Sequence, residues 1–199
     1  MNPLPDTSPF SERLDVQVRP DLLSDSVAVF NSTGTHRYLL TRRWGAGDSL
    51  TVIMLNPSTA DAFADDPTIT RITRFARRDG YGGLVVLNLY GLRATDPVEL
   101  ARAGDPVGPD NDTMIAGCTW DTTRPVLVAW GGIAYQPRHR ARVAAVVDDL
   151  TGRGVPLWCL GRTAAGHPRH PLYLPATAPL GPWWLPPGSS TTTVPEVTR

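Results

Sequence analysis

Three short apolar runs, each ending in the same way, constrain this chain more than any other feature. Leu50–Leu55 reads LTVIML, Leu84–Leu89 reads LVVLNL and Pro125–Trp130 reads PVLVAW. Each is almost free of charge and rich in β-branched residues, the composition of a strand buried on both faces, as in a parallel sheet. The first empties into Asn56-Pro57-Ser58-Thr59, the second carries Asn88 near its end, and the third closes on Gly131-Gly132. Open α/β sheets place their ligands in the crevice beyond such carboxyl ends.

Helical patterns separate the runs. Asp65-Asp66-Pro67-Thr68 has the acidic cap and early proline of a helix start, and Ile69, Ile72, Phe75 and Ala76 follow at helical spacing. Arg71, Arg74, Arg77 and Arg78 fall largely on the other side, as a solvated face or a phosphate-facing ridge. Shorter helices are expected over Val98–Ala103 and Asn111–Trp120, and a longer one from Pro137 to Leu150. Arg138, His139, Arg140 and Arg142 crowd the start of that last helix. Cations there oppose the helix dipole, which hints at an anionic partner. Val155–Leu160 is a further strand, leading into a loop with His167-Pro168-Arg169-His170-Pro171.

Upstream, Val27–Asn31 and Arg37–Arg43 alternate as a hairpin around Ser32–Thr35. Tyr38, Leu40 and Arg42 would share one face, and Arg37, Leu39 and Thr41 the other. The expected architecture is a three-layer α/β/α sandwich with a mainly parallel sheet. Residues 1–20 read as a flexible arm, 21–185 as a single domain and 186–199, rich in Pro, Ser and Thr, as a disordered tail. A length of 199 residues suits one core.

Composition narrows the function. No run of about 18 apolar residues is present and the start lacks a signal-peptide pattern, so a cytoplasmic protein without a membrane partner is expected. Cys118 and Cys159 fit a reducing compartment, and no CxxC or HExxH spacing supports a metal; no cofactor is expected. Nineteen basic residues balance nineteen acidic ones, which argues against a protein that coats DNA through global charge. Every basic residue is arginine, so no lysine can form a Schiff base.

The motifs IMLNPSTAD, DDPTITR, VLNLYGLRATDP, GPDND, AWGG and GHPRHPLYL resemble those of the bacterial domain-of-unknown-function family 1643 over roughly Tyr38 to Trp184. Their order is also similar, more distantly, to the uracil-DNA glycosylase superfamily. That second resemblance implies a uracil-DNA glycosylase-like fold. It also implies a monofunctional N-glycosylase that flips out and removes a modified or damaged base from DNA, single-stranded or phage DNA among the candidates, in defence or repair; the oligomeric state is open, with a monomer favoured. Asn56-Pro57 matches the Asn-Pro version of the motif that positions the attacking water. Asn88 stands where a base-reading Asn stands, and Val128–Gly131 resembles the LLWG segment. Either His167-Pro168 or His170-Pro171 matches the motif whose His meets the base carbonyl. Ser58 replaces a motif glycine, and position 56 is not Asp. A water-activating carboxylate would then be absent or come from Asp61, Asp65 or Asp66.

The catalytic candidates are therefore Asn56, Asp61, Asp66, His167 and His170. Asn88, Tyr90 and Trp130 are candidates for holding the base; Ser58, Arg93 and Arg169 for phosphate. Two other activities fit the same residues: hydrolysis of free nucleosides or nucleotides, which suits a pI near 6.9, and a non-catalytic nucleotide or nucleic-acid binding module.

Overall fold

The computed structural model describes residues 10, 13–20 and 25–184; the tail expected over 186–199 lies outside them. One eight-stranded sheet organises the chain. In chain order its strands are β1 (Leu14–Arg19), β2 (Asp25–Asn31), β3 (Arg37–Arg43), β4 (Ser49–Met54), β5 (Gly83–Asn88), β6 (Val126–Val128), β7 (Leu157–Cys159) and β8 (Gly181–Trp184). Between them lie α1 (Pro67–Arg78), α2 (Pro97–Arg102), α3 (Asn111–Cys118) and α4 (Pro137–Gly152).

The strand order is β1-β2-β3-β5-β4-β6-β7-β8. The apolar runs do what their composition requires: β5, β4, β6 and β7 sit side by side and parallel. The flanks are different. β1, β2 and β3 form an antiparallel meander that joins β5, and β8 pairs antiparallel with β7. Four of the seven strand pairings are antiparallel, so the sheet is mixed and the expectation of a mainly parallel one is overturned. Part of the expected N-terminal arm is strand β1, whose LDVQVR alternation pairs along β2 from Leu14↔Asn31 to Arg19↔Ser26.

Side chains alternate across the central strands and so build two cores. Val52, Val86 and Leu127 pack with Ile69, Ile72, Phe75 and Ala76 of α1. Ile53, Leu87 and Val128 pack with Met114 and Ile115 of α3 and with Val143, Val146 and Leu150 of α4. Each Val, Leu, Ile, Phe or Met among them, buried to a few per cent exposure or less, contributes roughly 1.5–3 kcal/mol. The two helical groups thus press the central strands from opposite faces. Among the described residues no helix is long and apolar enough to cross a membrane.

Candidate functional site

A cavity of about 530 Å³ opens beyond the carboxyl ends of β4 and β6. Its wall is drawn from the β4 exit, the start of α1, the loop after β5, the β6 exit and the loop after β7.

Asn56 occupies the first turn after β4. Its Nδ2 donates to the carbonyls of Pro57 and Ala94, at 2.9 and 2.7 Å. Both amide hydrogens are then used, and what Asn56 has left to offer the cavity is its Oδ1, an acceptor. The Ala94 N–H returns a bond to the Pro57 carbonyl at 2.9 Å, which zips the β4 exit to the loop after β5. Asp66 is the cap of α1: its side chain accepts from the Ile69 N–H at 2.8 Å, and Pro67 opens the helix. The residue is buried yet lines the cavity.

His170 reaches the cavity from the other side. Gly131, at φ 79°, lets it in: a Cβ at that position would stand 3.0 Å from the Cβ of His170, so a side chain there would be both strained and crowded. The ring Nδ1 of His170 accepts from the Leu172 N–H at 3.3 Å. The neutral ring therefore carries its proton on Nε2. Burial pushes the His170 pKa below its ordinary value, against an opposing pull from Asp66, and this favours that neutral form.

The structure thus separates the two histidines. His170 lines the cavity; His167 does not, and stacks on Tyr135 with ring centroids 3.3 Å apart. It also divides the carboxylates. Asp66 lines the cavity, whereas Asp61 folds its own turn by accepting from the Phe63 and Ala64 N–H groups, and Asp65 pairs with Arg42 at 2.6 Å.

Of the residues expected to hold a base, Trp130 lines the cavity and packs edge-on against Trp183. Asn88 and Tyr90 do not line it. Asn88 is paired in parallel register with Met54 and points to the same sheet face; Met54 lines the cavity, while the Asn88 side-chain amide is buried and finds no hydrogen-bond partner among the described residues. Tyr90 is buried on the α4 side, its hydroxyl 3.0 Å from His139 Nδ1. Asn56, Trp130 and His170 thus line one cavity, and Asn88 does not.

Of the phosphate candidates, Ser58 and Arg169 line the cavity. Arg93 does not: it lies over the Phe30 ring and directs its N–H groups at the carbonyls of Ser58 and Gly34, at 3.4 and 3.3 Å. Neither cysteine lines the cavity, and among the described residues no group of three or more His, Cys, Asp or Glu is arranged to hold a metal.

Two contributors escape the sequence patterns. Tyr173, 74% exposed, stands at the wall with Leu172, an aromatic left in solvent beside a pocket. Arg37, 1% exposed, starts β3. Because β3 runs against its neighbour β5, its first residue lies at the edge where the parallel strands end. Looking only beyond the ends of apolar runs misses it.

The family model described as "Protein of unknown function (DUF1643)" matches residues 37–172, well over half of the chain. The chain belongs to that family. The family's span opens at Arg37 and closes at Leu172, so every residue lining the cavity except Tyr173 falls inside it. Strands β1, β2 and β8 fall outside it. No curated protein and no solved structure matches the chain.

Proposed function

We propose that the protein hydrolyses the N-glycosidic bond of a modified or damaged base in DNA. The central strands, with helices on both faces, would be a variant of the three-layer uracil-DNA glycosylase-like fold. One observation carries the reading: an acceptor, Asn56 Oδ1, and a neutral imidazole donor, His170 Nε2–H, line one cavity with aromatic walls.

In the reaction the C1′–N bond breaks, its electron pair stays on the departing base, and water oxygen bonds to C1′. Asn56 Oδ1 orients that water and Asp66 takes its proton. His170 Nε2–H donates to a base oxygen as negative charge gathers there, the kind of preorganised donor that contributes most to such barriers. Trp130 and Tyr173 give the extruded base its apolar and stacking surfaces, and extrusion itself costs only a few kcal/mol for a damaged base. Ser58 and Arg169 hold the adjoining phosphate.

A second reading, hydrolysis of free nucleotides, is favoured by one finding. Arg42, Arg71, Arg78, Arg93 and Arg142 all direct guanidinium N–H groups at backbone carbonyls of the protein. Few remain near the cavity to follow a phosphate backbone.

Purified protein incubated with modified-base duplexes, single strands and free nucleosides, with released bases identified by mass spectrometry, separates the readings. Release from polymer supports the first, and release from monomers alone the second. Binding without release would leave a non-catalytic module. Asn56→Ala should lower release by about 10²-fold or more while changing substrate affinity by less than about tenfold. A variant releasing base at the wild-type rate would remove Asn56 from the mechanism.

A further inference from the structure

Arg37 is a charge placed where charge is costly. Its Nη1 donates to the Ala60 carbonyl at 2.6 Å, and among the described residues its Nε finds no acceptor and no carboxylate comes within ion-pair distance of it. A guanidinium has five N–H donors in a planar fork, and buried charges are ordinarily paired. Burial draws its pKa down to about 10, with Asp66 the strongest opposing influence. The charge is therefore retained at neutral pH.

The surroundings favour an anion. Arg37 lines the cavity together with Ser58 and Thr68, and the twelve-residue helix α1 begins there, so that its positive dipole end borders the same space. Among the described residues Asp66 is the carboxylate lining the cavity, and its Oδ1 accepts from the Ile69 N–H, which ties its charge to the start of α1. The imidazole of His170 is held towards neutrality, and Arg169 adds a second cation at the exposed wall.

We infer that Arg37 is the specificity-determining residue of the cavity, and that it reads an oxyanion, carboxylate or phosphate, on the part of the ligand that enters deepest. An oxyanion held by that fork through one or two of its oxygens would supply the close counter-charge that no described carboxylate brings within ion-pair distance. The oxyanion has two possible sources: an acidic substituent on the base, or the phosphate of a free nucleotide. The inference concerns binding, so it stands apart from whether the glycosidic bond is cut, although the choice of nucleoside ligands rests on the proposed function.

Calorimetry on the full chain tests it with 5-carboxy-2′-deoxyuridine, its neutral 5-hydroxymethyl counterpart, 2′-deoxyuridine 5′-monophosphate and inorganic phosphate. At least one of the three anionic probes should bind, and the tightest should do so about tenfold or more better than the neutral nucleoside. Preference for the carboxy nucleoside assigns the oxyanion to the base; preference for the monophosphate or for phosphate assigns it to a free nucleotide. Arg37→Met, of similar length and uncharged, should abolish the preference while keeping its thermal midpoint at or above wild type, since an unpaired buried charge has been removed. Arg37→Lys should recover part of it. Equal affinity for anionic and neutral probes, binding of none of the anions, or an unchanged preference in Arg37→Met would each overturn the inference. Should Arg37→Met fail to fold, the same comparison in Arg37→Lys decides: an undiminished preference overturns it. Base release without any anion preference would refute Arg37's role and leave the proposed activity intact; anion preference without release would do the reverse.

Discussion

At the residue scale, the two histidines with lowered pKa values make stability depend on pH in a defined direction. His170 is lowered by burial, and His139 by burial and then by the nearby charge of Arg138. Both bind a proton more readily in the unfolded chain, where the ordinary value is about 6.5. Their contribution is complete above that value and is lost as pH falls through it toward the lower folded values. Urea midpoints measured between pH 7.5 and 5 should fall with pH, and His170→Gln and His139→Gln should each flatten the fall. A variant whose midpoints decline in parallel with wild type would show that its histidine is not the titrating group. The choice between His167 and His170 was not legible in the sequence, where both precede a proline. The structure brings His170 to the cavity, where Gly131, with its positive φ and no Cβ, leaves room for it, while His167 stacks on Tyr135.

At the scale of elements, the arginines show most clearly what a linear pattern hides. The basic face of α1 reads as solvated or phosphate-facing, yet Arg71 donates to the Leu174 carbonyl, and Arg78 to those of Ala176 and Ala178, each at 2.7 Å. These bonds clasp the segment after residue 170 onto α1. The basic start of α4 is explained in the same way: Arg142 meets Asp112 and the Leu89 carbonyl, Arg140 the Tyr135 carbonyl and Arg138 the Gln136 side chain. Internal acceptors, remote in sequence for Arg142 and local for Arg138 and Arg140, offset the unfavourable dipole, so that hint of an anionic partner at α4 lapses. Arg78→Ala should cost about 1–2 kcal/mol, the range for a partly exposed hydrogen bond from a charged group. It should also loosen Leu172 and Tyr173 at the cavity wall. Denaturant midpoints and hydrogen exchange across residues 171–178 check both, and an unaltered exchange rate would mean the clasp is idle. Helices and central strands were legible from spacing and composition. Strands β1 and β8 were not, because LDVQVR and GPWW are short edge segments in proline-rich surroundings, recognisable mainly through their pairing.

At the scale of the whole molecule, the cavity lies where the chain changes direction across the sheet. From β4 the chain crosses by α1 to β5 on one side; from β5 it returns past β4 to β6, and α4 then leads on to β7. Connections leave the neighbouring ends of β4 and β6 for opposite faces, and that divergence opens the crevice. The sequence located it because apolar runs ending in polar turns mark such ends. It missed Arg37 because the antiparallel flank brings a strand's beginning to the same edge. Charge sets the last expectation. With nineteen basic and nineteen acidic residues, and many arginines turned toward internal carbonyls, few cations near the cavity can displace counterions from a nucleic acid. If DNA is the substrate, the protein should neutralise about one to three phosphates. The logarithm of affinity for a modified-base single strand should then fall with the logarithm of salt at a slope no steeper than about −2. Arg169→Ala should reduce that slope by roughly 0.7, the contribution of one phosphate contact on a single strand. A slope steeper than about −4 would require a long basic track on another face, and the cavity could not then be where the strand is held.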